Sequence, residues 1–177
     1  MLQTMLAVVT NAFVNIYDLT KDSICPVYAL TVEGQRLVDA VVIPDSPEQV
    51  DVFALTASGK IYKRLLHLTE AEHGPLVLET VVPVPPAVQG SCSAGGSLAY
   101  SAPAHLFFCS FGDGKAFVAD RDLDRRQLQN FVDLSDVQDS SGATTASTRV
   151  KMMPHSSWVF SAVRDDDLHG NQALHAA

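Results

Sequence analysis

Apolar, β-branched and aromatic residues recur along this chain in short runs separated by turn signals, and the first runs already have the form of a hairpin. Leu6-Ala7-Val8-Val9 is apolar, Thr10-Asn11-Ala12 turns, and Phe13-Val14-Asn15-Ile16-Tyr17-Asp18-Leu19 returns. A second hairpin is expected from Val50 to Thr56, a turn at Ala57-Ser58-Gly59, and a return from Lys60 to Leu66. A third runs from His105 to Phe111, turns at Gly112-Asp113-Gly114, and returns from Lys115 to Asp120. Ser-Gly and Asp-Gly suit tight turns because glycine accepts positive φ without steric cost.

The three hairpins resemble one another. Asn15-Ile16-Tyr17, Lys60-Ile61-Tyr62 and Lys115-Ala116-Phe117 each place a polar, an apolar and an aromatic residue shortly after a turn, with Ile16 and Ile61 separated by 45 positions and Ile61 and Ala116 by 55. That interval matches the roughly 40–50 residues of a four-stranded propeller blade, with one insertion. Flanking strands are expected at Leu37 to Ile43, Leu76 to Val82, Ser97 to Ser101, Leu128 to Leu134, Arg149 to Met153 and Ser157 to Val163. Pro44-Asp45-Ser46-Pro47 reads as a connection, because proline lacks the donor that a central strand needs. Pro83 to Gly96 reads as a long proline-rich connection, and Asp136 to Ser147 as a Ser/Thr/Gly-rich loop. Lys63 to Glu72 reads either as strand or, through Leu65, Leu66 and Leu68, as a short helical turn. The expected fold is all-β: an incomplete WD40-like β-propeller over 1–163, with about two whole four-stranded blades and partial blades at each end. A blade end occupies 1–32, whole blades occupy 33–90 and 91–135, a blade start occupies 148–163, and 164–177 forms an irregular tail. A single blade cannot cover both its faces, so neighbours must do so.

Composition narrows the functional classes. Hydrophobic residues make up 47% of the 177 positions and charged ones only 18%, which suits strands buried on both faces. Twelve basic against twenty acidic residues leave a net charge of −8, so the basic footprint of a nucleic-acid binder is missing. No apolar run approaches the roughly 20 residues of a membrane helix, and Met1 to Val9 lacks the basic start of a signal peptide. The cysteines, Cys25, Cys92 and Cys109, are odd in number and widely spaced, which points to a reducing cytoplasm rather than a disulfide framework.

Candidate chemistry is sparse. His67, His73, His105, His155, His169 and His175 form no His-x-x-x-His and pair with no cysteine at zinc spacing. Gly90-Ser91-Cys92-Ser93-Ala94-Gly95-Gly96 misses the Gly-x-Ser-x-Gly nucleophile elbow and lacks the lysine of a phosphate loop, so it reads as a flexible loop. Gly112-Asp113-Gly114-Lys115 reads as a turn without convergent partners. Asp165-Asp166-Asp167 reads as a solvated run, since no further oxygen ligands follow at metal-binding spacing. Asp39, inside an apolar strand, requires a partner and is expected to contact a neighbouring loop. Tyr100 and Trp158 read as packing aromatics. The residues therefore nominate no catalytic, cofactor-binding or metal-binding position.

Several segments, taken in order, resemble a known family. Ala7 to Asp22, Val38-Asp39-Ala40-Val41-Val42-Ile43-Pro44, Ala57-Ser58-Gly59-Lys60-Ile61-Tyr62, Ser97-Leu98-Ala99-Tyr100-Ser101 and His105 to Lys115 look like a stretch of the giant UBR-box ubiquitin ligases, known as calossin or Pushover in animals and BIG in plants. The resemblance covers residues 6 to about 120, with an echo over Arg149 to Val163. It implies a WD40-like propeller region in the N-terminal half of a large E3 ubiquitin-protein ligase of the N-degron pathway. In that family a zinc-binding UBR box recognises destabilising N-termini, and the ubiquitin-transfer machinery lies near the C-terminus. Both rely on Cys/His clusters that this chain lacks, so no functional residue carries over, and zinc is expected elsewhere in the parent protein. The expected role is a non-catalytic, cytoplasmic scaffold whose partners are the remaining propeller blades, with no nucleic acid or membrane insertion and with room for self-association of the parent. The rival reading is a WD40-like interaction module of an unrelated trafficking or cytoskeletal adaptor. An enzyme would need convergent acids, bases or metal ligands.

Overall fold

The apolar runs become strands in the computed structural model, which describes residues 5–21, 24–69, 74–93, 95–134, 148–152 and 158–162. The chain divides into two compact units, Met1–Val82 and Pro83–Ala177. The described residues form an all-β fold with three four-stranded sheets and a two-stranded one.

The first unit contains β1 (Met5–Val9), β2 (Val14–Asp18), β3 (Tyr28–Thr31), β4 (Leu37–Ser46), β5 (Gln49–Thr56), β6 (Ile61–His67), β7 (Pro75–Val77) and β8 (Thr80–Val81). Its two sheets have the orders β1-β2-β3-β7 and β4-β5-β6-β8. Alternation puts Val14, Ile16, Tyr28 and Leu30 on one face of the first sheet, where they share a buried cluster with Val50, Val52, Ala54 and Leu66 of the second. The second unit contains β9 (Gly96–Ser101), β10 (Leu106–Phe111), β11 (Ala116–Asp122), β12 (Gln127–Asp133), β13 (Thr148–Met152) and β14 (Trp158–Ala162). Here the order is β12-β11-β10-β9, with β13 and β14 pairing separately. The Phe117 ring lies 6.5, 6.0 and 5.2 Å from those of Phe107, Phe111 and Phe131, giving this sheet an aromatic face.

Three features depart from the sequence reading, and one settles an alternative it leaves open. The strand at Leu37 continues through Pro44 to Ser46, because β4 lies at a sheet edge, where a missing amide donor interrupts no second ladder. The segment expected as one strand from Leu76 to Val82 divides its pairing: β7 runs parallel to β3 in the first sheet, while β8 runs antiparallel to β6 in the second. Leu78 joins the two halves, donating its N–H to Thr31 O at 2.8 Å, and Val82 donates to Ile61 O at 2.8 Å. The strand option wins at Lys63, where β6 runs straight to His67 with a turn at Leu68-Thr69. Finally, β3 was not anticipated; its four residues, Tyr-Ala-Leu-Thr, are too few for a periodic signal, and its register with β2 holds it. The loop from Asp136 to Ser147 and the tail from 164 lie outside the described residues.

Candidate interaction surfaces

The hairpin turns do more than reverse the chain. At the second, Thr56 N–H donates to Lys60 O at 2.9 Å and Gly59 N–H to Thr56 O at 2.9 Å, with Gly59 at φ 79°. The third repeats this geometry, with Phe111 N–H to Lys115 O at 2.8 Å, Gly114 N–H to Phe111 O at 3.2 Å, and Gly114 at φ 90°. Both are three-residue turns ending in a left-handed glycine. Each also grips the segment that enters its sheet. Ala57 N–H donates to Arg36 O at 2.8 Å, and Ser58 Oγ donates to Gln35 Oε1 at 3.0 Å. Asp113 accepts the Ser91 amide at 2.7 Å, and Lys115 Nζ reaches Gln89 O at 3.0 Å. The first turn takes part as well: Asn11 O accepts the Leu37 amide at 2.9 Å, and Ala12 O accepts Thr31 Oγ1 at 2.8 Å.

The Gly90–Gly96 stretch is thus anchored at Ser91, and Asp113 and Lys115 do have convergent partners. A carboxylate accepting backbone amides makes a strong local bond, and sequence spacing alone cannot show two loops meeting. Cys92 is buried beneath this clamp. Burial pushes its thiol up to about 11, the Asp113 charge adds in the same direction, and a backbone hydrogen bond at Gly112 opposes both. That thiol is a poor nucleophile at neutral pH. No disulfide joins Cys25, Cys92 or Cys109.

The other nominated residues are dispersed. His67 lies on β6, its ring Nδ1 3.2 Å from Gln49 Nε2 and its carbonyl accepting Tyr28 OH at 3.1 Å. His105 sits at φ 53° in the β9–β10 turn, with Nδ1 3.3 Å from Tyr100 OH. Tyr100 is half-buried, and the Arg121 guanidinium lies 5.8 Å from its ring centroid. Asp39 is half-buried at a β-bulge, where Oδ1 accepts the next amide, that of Ala40, at 2.8 Å. Two buried charges escaped the sequence reading: Asp51, between Val50 and Val52 on β5, and Arg121 on β11. A charge embedded in an apolar run was the available signal for Asp51. Trp158 opens β14 opposite Met152. His73, His155, His169, His175 and Asp165-Asp166-Asp167 lie outside the described residues. Among the described residues, no three His, Cys, Asp or Glu side chains converge to hold a metal ion, and no helix is long and apolar enough to cross a membrane.

Register clarifies the internal repeat. The first ladder pairs after the three turns are Val9↔Val14, Leu55↔Ile61 and Ser110↔Ala116. Val14, rather than Ile16, is therefore the counterpart of Ile61 and Ala116. The two-residue shift keeps the same face, because strand side chains alternate with period two. Strands β1, β5 and β10 are then equivalent, but their surroundings are not. Val52 and Phe107 are 0% exposed, while their counterpart Leu6 is 47% exposed; Ala54 and Cys109 are 0% exposed, while Val8 is 38% exposed. Within the first unit, unlike faces meet. The first sheet offers the face of Val9 and Val14, and the second offers the face of Val52 and Ala54, opposite to its own Leu55 and Ile61. The face left over on the first sheet is the one bearing Leu6 and Val8.

No protein-family model matches the chain. Over 126 residues it is 36% identical to "Auxin transport protein BIG" of Oryza sativa subsp. japonica, covering 71% of this chain. It is 31% identical over 124 residues to "Protein purity of essence" of Drosophila pseudoobscura pseudoobscura, and 27% identical over 116 residues to a "Probable E3 ubiquitin-protein ligase" of Dictyostelium discoideum, each match covering 65% of this chain. The chain spans about 2% of the length of each of these relatives. Shared identity across plant, insect and amoeba sequences makes this chain a homologue of one short segment of the Pushover/BIG proteins.

Proposed function

We propose that this chain is a non-catalytic scaffold segment of a large, cytoplasmic E3 ubiquitin-protein ligase of the N-degron pathway, built as part of a WD40-like β-propeller. The observation that carries this reading is the stacking of unlike faces. A first sheet meets a second through opposite sides of equivalent strands, and its remaining side carries exposed Leu6 and Val8 where the repeat has buried residues. Such stacking propagates from sheet to sheet and is satisfied when a ring closes. In this reading the blades occupy 33–90 and 91–135, partial ones occupy 1–32 and 148–163, and β7 is lent by one blade to the outer edge of its neighbour. Three relatives that are vastly longer, one of them named a probable E3 ligase, support a parent that performs the chemistry elsewhere. Cysteines without disulfides support a reducing compartment.

The test is a discharge assay. The purified chain is mixed with a ubiquitin-charged conjugating enzyme, alongside the parent with and without residues 5–134. The chain is expected to leave the thioester at its spontaneous decay rate, and the deletion to strip bound partners from the parent. Ubiquitin discharge driven by the chain alone would overturn the reading, as would a deleted parent that retains every partner.

A further inference from the structure

We infer that the free edge of β1 is a strand-docking site, and that its occupant is an antiparallel strand of the same parent polypeptide from outside residues 1–177. The inference rests on the scaffold reading for the parent, but its geometry comes from the internal repeat. In the second sheet, β5 is paired on both sides, with β4 at one edge and β6 at the other. In the third, β10 is likewise paired with β9 and β11. Their equivalent, β1, pairs with β2 alone and ends its sheet. The position that β4 and β9 fill is vacant beside β1 among the described residues.

The backbone at that edge is prepared for a partner. Thr10 N–H donates to Phe13 O at 2.8 Å. Alternation of an antiparallel ladder then turns the Leu6 and Val8 amides toward β2 and the Ala7 and Val9 amides outward. In β5 the corresponding outward residues, Phe53 and Leu55, are matched by Val41 and Asp39 of β4. The side chains agree with the backbone. Natural edge strands are blunted by charges, prolines or bulges, whereas β1 reads Met-Leu-Ala-Val-Val and pairs with β2 in unbroken register. It has the composition of a central strand in an edge position. The second-sheet equivalent, Leu37-Val38-Asp39-Ala40-Val41-Val42-Ile43, indicates the chemistry of the occupant: an apolar strand carrying few charges.

Amide exchange and photo-crosslinking test the site together. Exchange at Ala7 and Val9 is compared between the isolated chain and the full-length parent, and is expected to be at least about tenfold slower in the parent. Exchange at Leu6 and Val8, already bonded to β2, serves as the internal reference. A photo-crosslinking residue replacing Val8 in the parent is expected to capture a segment of the same polypeptide outside 1–177. Equal exchange of Ala7 and Val9 in both proteins overturns the inference. So does a crosslink to a second copy, to another protein, or to residues within 1–177. Failure of the scaffold reading looks different: ubiquitin discharge by the isolated chain would refute that reading while leaving a protected β1 edge intact.

Discussion

Gly90→Ala is expected to unlock the clamp between the connection that precedes β9 and the β10–β11 turn. A Cβ built at Gly90 would lie 2.5 Å from Asp113 Oδ1 and 2.7 Å from both Cβ and Cγ of Phe111. Contacts that short force a shift, and the neighbours differ in their freedom to move. Phe111 is buried, its ring 6.0 Å from that of Phe117 and its backbone paired with Gly96. Asp113 is the softer partner, but it holds the Ser91 amide at 2.7 Å and the Lys115 amide at 3.2 Å. Losing one charge-assisted hydrogen bond costs about 1.5–3 kcal/mol, and residual overpacking of Phe111 adds about 1–3 kcal/mol. The expected destabilisation is therefore about 2.5–6 kcal/mol. Urea denaturation measures the total, and amide exchange at Ser91 reports the clamp itself. Asp113→Asn, alone and combined with Gly90→Ala, completes a cycle whose double variant should be less destabilised than the sum of the singles, because the first substitution already removes the contact. An unchanged urea midpoint together with unchanged Ser91 exchange in Gly90→Ala would refute the reasoning.

Three further outcomes follow from the same structure. Cys92, raised from an ordinary 9.0 to about 11, should resist alkylation at pH 8 while exposed Cys25 reacts, as mass spectrometry of labelled peptides would show. Its folded value lies above its unfolded one, so its contribution to stability is complete below about 9 and is lost as pH rises through about 11. Cys92→Ala should flatten the fall in urea midpoint across that interval. Leu78→Ala, at a side chain 1% exposed between β7 and β8, is expected to cost about 2–5 kcal/mol and to accelerate exchange at both Leu78 and Val82.

The hairpins were legible because each joins two local signals, an apolar run and a glycine turn. Thr56 to Lys60 and Phe111 to Lys115 fold as their sequences suggest, down to the left-handed glycines. What remained hidden depends on partners distant in sequence. The parallel pairing of β7 with β3 joins segments about 45 residues apart, and no local periodicity encodes it. The clamp at Asp113 likewise needs two loops to meet. Pro44 is hidden for the same reason, since a proline is acceptable or not according to which strand lies beside it, and that is a property of sheet order. Matching Ile16 instead of Val14 to Ile61 keeps the face but shifts the register by two residues, which only the ladder partners fix.

The scaffold we propose would bind through what its sheets leave exposed. Here the loops at the hairpin turns spend their polar groups on one another: Ser58 on Gln35, Asp113 on Ser91, Lys115 on Gln89. Apolar surface and strand backbone remain exposed at Leu6, Val8 and the outer edge of β1. Groups of that kind suit other sheets and strands, which is what the proposed scaffold requires. In repeat architectures each unit draws its stability from its neighbours. In the proposed scaffold Leu6, exposed in this chain, becomes a core residue once its repeat position, shared with Val52 and Phe107, is filled on both sides.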